Sequence, residues 1–197
     1  MSSDVNSTNG KLILILGPSG SGKGTIMHYL KKEHPEFVFP PSYTTRDPRP
    51  GEIEGDIYHY VSREEFDQLI ENDDLLEWAI VHEDNYYGTN RKEIEAGLAE
   101  GKVVIREVDI QGVESIWEKM GKENVETLFI TAKTWDDLQE RILDRADMSE
   151  EELEKRQRSY EKETEFAEQC DYVLYNEYRK KDEAFADVEN ALSEIIQ

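Results

Sequence analysis

The sequence predicts an α/β fold, a parallel sheet carrying helices in a three-layer arrangement. Apolar runs that read as buried strands alternate with helical patterns along most of the chain. A glycine-rich string separates the first such run from the helix after it. A length of 197 residues suits one buried core with appendages and not several independent domains.

The elements follow in order. Residues 11–16 (KLILIL) are continuously apolar and are closed by Gly17 and Pro18, as a strand buried on both faces requires. A helix is expected over about 23–33, and further strands over 102–109 and 127–132, followed by helices starting near Gln111 and Thr134. A short strand at 172–175 precedes a last helix over about 181–196. Between Pro40 and Gly101 the texture becomes turn-rich and aromatic around one short helix, capped by Ser62 with Glu65 three residues on; this reads as an inserted lobe. Residues 148–169 are polar and helical in propensity, with Ser149 and Glu152 as a capping box. Such a helix reads either as a moving lid or as a plain solvated helix.

Composition excludes several classes. Hydrophobic residues at 37% support a globular core, so disorder of the whole chain is not expected. The net charge of -22 opposes nonspecific attraction to nucleic acid or to anionic membranes, so an anionic substrate must meet a local basic site. The acidic surplus fits a self-repelling surface; adaptation to high salt is the weaker reading, because lysine outnumbers arginine and glutamate outnumbers aspartate. A single cysteine, Cys170, excludes an intrachain disulfide framework and fits a reducing compartment. The first ten residues lack the pattern of a signal peptide, and no apolar run is long enough to cross a bilayer, so a cytoplasmic protein is expected.

The string Gly17-Pro18-Ser19-Gly20-Ser21-Gly22-Lys23-Gly24-Thr25 has the strand-loop-helix context of a Walker A phosphate loop. Its amides can wrap a phosphate at a helix N-terminus, and Lys23 can reach the β- and γ-phosphates of a nucleotide. The generic pattern has Ser or Thr directly after the lysine; here Gly24 stands there and Thr25 follows.

From Leu12 to nearly the end the motif order resembles the guanylate kinase family: after the phosphate loop come SYTTRDPRPGEIEGDIYHYV, LLEWAIVHEDNYYGT, VDIQGV, ERILDRADMSEEELEKRQ and DYVLYNE. The resemblance implies a P-loop NTPase core with an inserted nucleoside monophosphate-binding lobe and a helical lid. It divides the chain into an arm (1–10) and a kinase-like domain (11–197), with core 11–41, 99–142 and 170–197, GMP lobe 42–98 and lid about 143–169. It implies ATP and GMP as substrates, dGMP as a further acceptor, Mg2+ carried with ATP, no nucleic acid or membrane partner, and a monomer or homodimer.

The same resemblance assigns residues. Arg46, Arg49, Tyr58 and Tyr87 hold the acceptor phosphate, for which guanidinium forks and phenolic hydroxyls are suited; ion pairing with Glu52, Glu54 or Asp56, and core packing of the tyrosines, are the competing readings. Glu77 reads the guanine donors, Ser42 meets O6, and Thr89 adds a hydroxyl. Glu107 stands where the family has aspartate, and Arg106 where an apolar strand residue is expected. Strand alternation puts Glu107 and Asp109 on one side, with Asp109 acting through metal-bound water or capping the next helix. Arg106 should meet an acid or reach solvent. Arg141, Arg145 and Arg156 resemble lid arginines that contact the ATP phosphates and the transferring group, with helix salt bridges to Asp137 and Glu152 as the rival reading. Thr25 or water is the implied magnesium ligand at the loop. An interaction module without catalysis, and a kinase for AMP or for a ribose phosphate ester, are the alternatives; the intact loop opposes the first, and Glu77, Ser42 and Tyr87 oppose the second.

Overall fold

The computed structural model describes residues 10–81, 84–144 and 148–197. Its elements run β1 (Lys11–Leu16), α1 (Lys23–Glu33), β2 (Ser42–Thr44), β3 (Tyr58–Tyr60), α2 (Arg63–Glu71), β4 (Leu75–Val81), β5 (Asn85–Asn90), α3 (Arg91–Ala99), β6 (Val103–Glu107), α4 (Ile110–Met120), β7 (Val125–Thr131), α5 (Trp135–Leu143), α6 (Glu150–Phe166), β8 (Tyr172–Tyr175) and α7 (Lys181–Ile196). The fold is α/β with a parallel sheet and helices. That sheet has the order β6-β1-β7-β8, and a second sheet has the order β3-β2-β5-β4.

The chain divides into two compact units, one made of Ile13–Pro35, Glu107–Ile110 and Glu126–Gln197, the other of Met1–Leu12, Glu36–Arg106 and Gln111–Val125. In the first, Ile13, Leu14, Ile15 and Leu16 are fully buried, as the unbroken apolar run demands. β7 and β8 pair in parallel from Leu128 with Tyr172 to Thr131 with Tyr175. α1 and α7 are joined by Tyr29 and Phe185, whose rings stack at 4.0 Å. α6 buries little of itself; Leu153 and Tyr160 attach it, together with Met148, to a cluster of Ala132, Leu138 and Ile142. Ser149 accepts the Glu152 amide at its N-terminus.

The second unit carries a mixed sheet that the turn-rich texture of its sequence does not announce. β2 runs parallel to β3 and antiparallel to β5, which runs antiparallel to β4. Phe66, on the buried side of α2, lies under it with Leu75 and Leu76. A Cβ on Gly88 would stand 3.2 Å from the Phe66 ring and 3.0 Å from Leu75, so the aromatic filler and the glycine require each other. The Ser62–Glu65 capping box is formed in both directions, as expected. α3, not anticipated, starts at Asn90, whose side chain accepts the Lys92 amide.

One expectation needs correction. The strand predicted over 102–109 stops at Glu107, so Asp109 does not alternate with Glu107 along a strand; it sits in the turn immediately before α4. The Val108 amide still bonds the Ile15 carbonyl, but α4 starts at Ile110 and takes the chain out of the sheet.

Candidate active site

The phosphate loop closes between β1 and α1, and two of its glycines are required by geometry. Gly17 has φ 135° and a Cβ there would run into the Ile130 carbonyl. Gly22, at φ 98°, is the left-handed residue that starts α1. Lys23 lies back along the loop, donating to the carbonyls of Gly17 at 2.7 Å and Pro18 at 3.2 Å, with the Glu107 carboxylate at 3.8 Å. Glu107, expected among the guanine contacts, is thus a neighbour of the loop lysine.

The loop is braced from behind by residues far along the chain. Asn176, which follows β8, donates its side-chain amide to the Ser21 carbonyl at 2.8 Å, and Arg141 donates to the same carbonyl at 3.2 Å. Arg141 also bonds the Asn176 carbonyl and is only 5% exposed. Because C=O and N–H point oppositely across a planar trans peptide, fixing the Ser21 carbonyl aims the Gly22 N–H the other way. Arg141, expected among the arginines that contact the ATP phosphates, thus braces the loop from a buried position. Arg156 on α6 does reach the loop, donating to the Ser19 hydroxyl at 2.8 Å. Arg145 lies outside the described residues.

Beside the loop is a cavity of about 290 Å³ lined by Gly22, Thr25, Arg141, Asn176, Tyr178 and Phe185 among others. The Arg141 guanidinium stands 5.7 Å from the centre of the Tyr178 ring at its wall. Asn176 belongs to the DYVLYNE string and Tyr178 follows it, but neither takes a role from the sequence; their position after the last strand is the signal that could have singled them out.

A carboxylate that sequence reasoning passed over, Glu163 on α6, belongs to this neighbourhood. Burial pushes its carboxyl up; a hydrogen bond from Ser159 and the Lys23 charge oppose the rise, and Asp109 adds to it. Among the described residues no cluster of three metal-ligating side chains exists. Thr25 is exposed on the first turn of α1. A hard cation brought with phosphate oxygens and keeping most of its waters fits such a donor set of one hydroxyl and nearby carboxylates; a cation needing an all-protein cage does not.

The other unit gathers the second group of residues. Thr44 pairs with Tyr87 and Glu77 with Thr89 in the mixed sheet, so side chains from β2, β4 and β5 come together. Thr89, fully buried, donates to Glu77 at 2.5 Å. Arg46 makes a two-pronged ion pair with Glu52, both contacts at 2.9 Å, and donates to the Tyr87 hydroxyl at 3.2 Å. The ion-pair reading of Arg46 is therefore realised. Glu52 also accepts from the Arg49 amide and the Tyr60 hydroxyl; the Arg46 bond leads these in pulling its carboxyl down to about 2. The Tyr58 ring lies 5.1 Å from the Arg46 guanidinium and 5.8 Å from the Tyr87 ring. A Tyr87 hydroxyl that accepts from Arg46 has its own proton to offer to an anion. Arg49 enters the network through its backbone.

A sequence model of the guanylate kinase family matches residues 9–195. This chain belongs to the guanylate kinase family. Relatives bearing the name guanylate kinase include one from Helicobacter pylori (strain ATCC 700392 / 26695), 44% identical across 86% of this chain and 81% of its own length, and one from Corynebacterium jeikeium (strain K411), 37% identical over the whole of both chains. The crystal structure of guanylate kinase from Anaplasma phagocytophilum superposes with a TM-score of 0.72 at 28% identity, covering 96% of this chain and 88% of its own.

Proposed function

We propose that this chain transfers the γ-phosphoryl group of ATP to GMP, giving ADP and GDP, and accepts dGMP as well. The observation that supports this best is the convergence, within one mixed sheet, of an anion-suited cluster and a guanine-suited one. Arg46, Tyr58 and Tyr87 supply the first; Glu77, Thr89 and Ser42 supply the second. Guanine offers N–H donors at N1 and N2 and an acceptor at O6, which a carboxylate and a hydroxyl complement.

The reaction is a direct in-line displacement. An oxygen of the GMP phosphate attacks the γ-phosphorus, the bond to the β-bridging oxygen breaks, and its electron pair leaves with ADP. Positioning and charge neutralisation supply most of the acceleration. The loop amides and Lys23 hold the donor, and the cavity lined by Tyr178 and Phe185 takes its base. Thr25, and Asp109 through water, are the residues that would hold Mg2+ carried in with ATP, and the ion would supply charge neutralisation at the phosphates. Residues 42–98 act as the GMP lobe and 143–169 as a lid whose Arg156, with Arg145, closes over the transferring group and keeps water out. The cytoplasm is the expected site of action; among the described residues no helix is long and apolar enough to cross a membrane.

A coupled assay with ATP against GMP, dGMP, AMP, CMP and UMP tests the reading. Turnover confined to the two guanine nucleotides supports it. Equal turnover of AMP removes the assignment of the base site, and no turnover with any acceptor favours an interaction module built on the same fold.

A further inference from the structure

Arg106, near the end of β6, occupies a position where strand patterning calls for an apolar side chain. It is half-buried, and its guanidinium donates to three oxygens: the Thr89 hydroxyl at 2.8 Å, the Pro40 carbonyl at 2.9 Å, and the Ser42 hydroxyl. Two of these are the hydroxyls next to the guanine-suited carboxylate. A hydroxyl has one proton and two lone pairs, and its proton turns to suit its neighbours. When a permanent cation takes a lone pair, the proton must point elsewhere, and the oxygen becomes a better donor and a poorer acceptor.

For Thr89 the result is visible. Its oxygen accepts from Arg106 and its proton goes to Glu77, so a relay runs from cation through hydroxyl to carboxylate. Ser42 accepts from the same guanidinium while remaining partly exposed, so its proton must point away from the cation. A site built this way offers a hydroxyl proton where a purine carries its 6-substituent, and a fixed carboxylate beside it. A 6-oxo group accepts that proton. A 6-amino group brings a second donor to an oxygen already facing a cation.

We propose that Arg106 sets the proton direction of Ser42 and Thr89 and thereby makes the acceptor site select 6-oxo purines over 6-amino purines. Arg106 acts through those hydroxyls and is a positioning residue. The inference rests on the guanine reading above and extends it to a residue that departs from the strand pattern.

The test measures kcat and KM with ATP for GMP, IMP and AMP in the parent and in Arg106→Leu, Arg106→Lys, Ser42→Ala and the Arg106→Leu/Ser42→Ala pair. IMP shares O6 and N1–H with GMP and lacks the 2-amino group. Arg106→Leu is expected to lower kcat/KM for GMP and IMP together by roughly 10- to 100-fold, mainly through KM, while AMP changes by less than about threefold. Arg106→Lys, which keeps the charge, recovers part of the loss, and in the Ser42→Ala background Arg106→Leu costs less than it does alone. Should Arg106→Leu not fold by thermal melting, Arg106→Gln, which keeps an amide donor without the charge, gives the same readout. Equal losses for all three nucleotides, as a merely structural brace would produce, overturn the proposal, as does an unchanged GMP to AMP ratio in a parent that prefers GMP. A parent that uses AMP as well as GMP overturns the guanine reading itself.

Discussion

The phosphate loop and the mixed sheet, the two places proposed to hold anionic nucleotides on a protein of net charge -22, are built in opposite ways. The loop is shaped by main chain and by buried struts: glycines at φ 135° and 98°, and a Ser21 carbonyl held by Arg141 and Asn176. The mixed sheet relies on side chains that hold one another, above all Arg46 with Glu52 and Arg106 with Thr89. Backbone held by buried donors keeps its geometry whatever the pH, whereas a partly exposed ion pair is screened by salt and lost with the charge of either partner. The first arrangement is preassembled; the second is adjustable.

The contrast can be broken at Lys23. Lys23→Ala is expected to lower kcat by at least about 100-fold, because one charge is withdrawn from a preorganised phosphate site. The melting temperature should move little, since the lysine bonds only loop carbonyls and lies near Glu107. Steady-state kinetics beside a thermal melt would check both; a variant within threefold of the parent would end the phosphate-loop assignment.

On the adjustable side, Glu77→Gln keeps the shape and turns one acceptor into a donor. It should cost GMP on the order of 2–4 kcal/mol in kcat/KM while AMP is little affected. The GMP to AMP ratio is the readout, and an unchanged ratio means that Glu77 does not read the base.

Arg141→Met tests whether the loop is held from behind. Removing two charged donors from buried carbonyl partners should lower stability by about 1–3 kcal/mol and raise the KM for ATP, leaving the KM for GMP nearly as it was. A loss confined to kcat with stability unchanged would return Arg141 to the role of an arginine facing the phosphates.

The smallest effects distinguish the two regions by the sign of their response to acid. Glu52 titrates at about 2 because Arg46 holds its charged form, so its contribution to stability is complete above the ordinary carboxylate range and fades as pH falls toward about 2. Glu163 is pushed upward by burial, so its contribution is complete at low pH and is lost as pH rises through its raised value. Urea melts across pH 2–8 should therefore show Glu52→Gln destabilising at neutral pH and Glu163→Gln stabilising there, with both differences shrinking in acid. The same sign for both would refute the contrast.

Legibility in the sequence followed the locality of the cause. The phosphate loop, the run before it and the Ser62 cap were readable because each depends on a few consecutive residues and on rules of backbone geometry. The two terminal elements, β8 and α7, fall at the predicted residues. The mixed sheet was not readable, because strands as short as β2 and β3 carry too few residues to show a period and exist only by pairing with β5. The end of β6 was misplaced because the pattern of acidic and apolar residues runs on past Glu107, where the strand stops, to Asp109.

Sequence alone determined the α/β alternation, the phosphate loop with its lysine, and the inventory of arginines, tyrosines and carboxylates available to bind an anion and a base. Only the tertiary structure decided which partners those side chains take: that Arg141 braces the loop from a buried position, that Glu107 lies beside Lys23, that Glu163 is half-buried near both Lys23 and Asp109, and that Arg106 finds two hydroxyls and a carbonyl. The reason is physical. Local backbone geometry is fixed by neighbouring residues, while the state of a charge is fixed by whatever the fold brings within a few ångströms of it, and those neighbours come from distant parts of the chain.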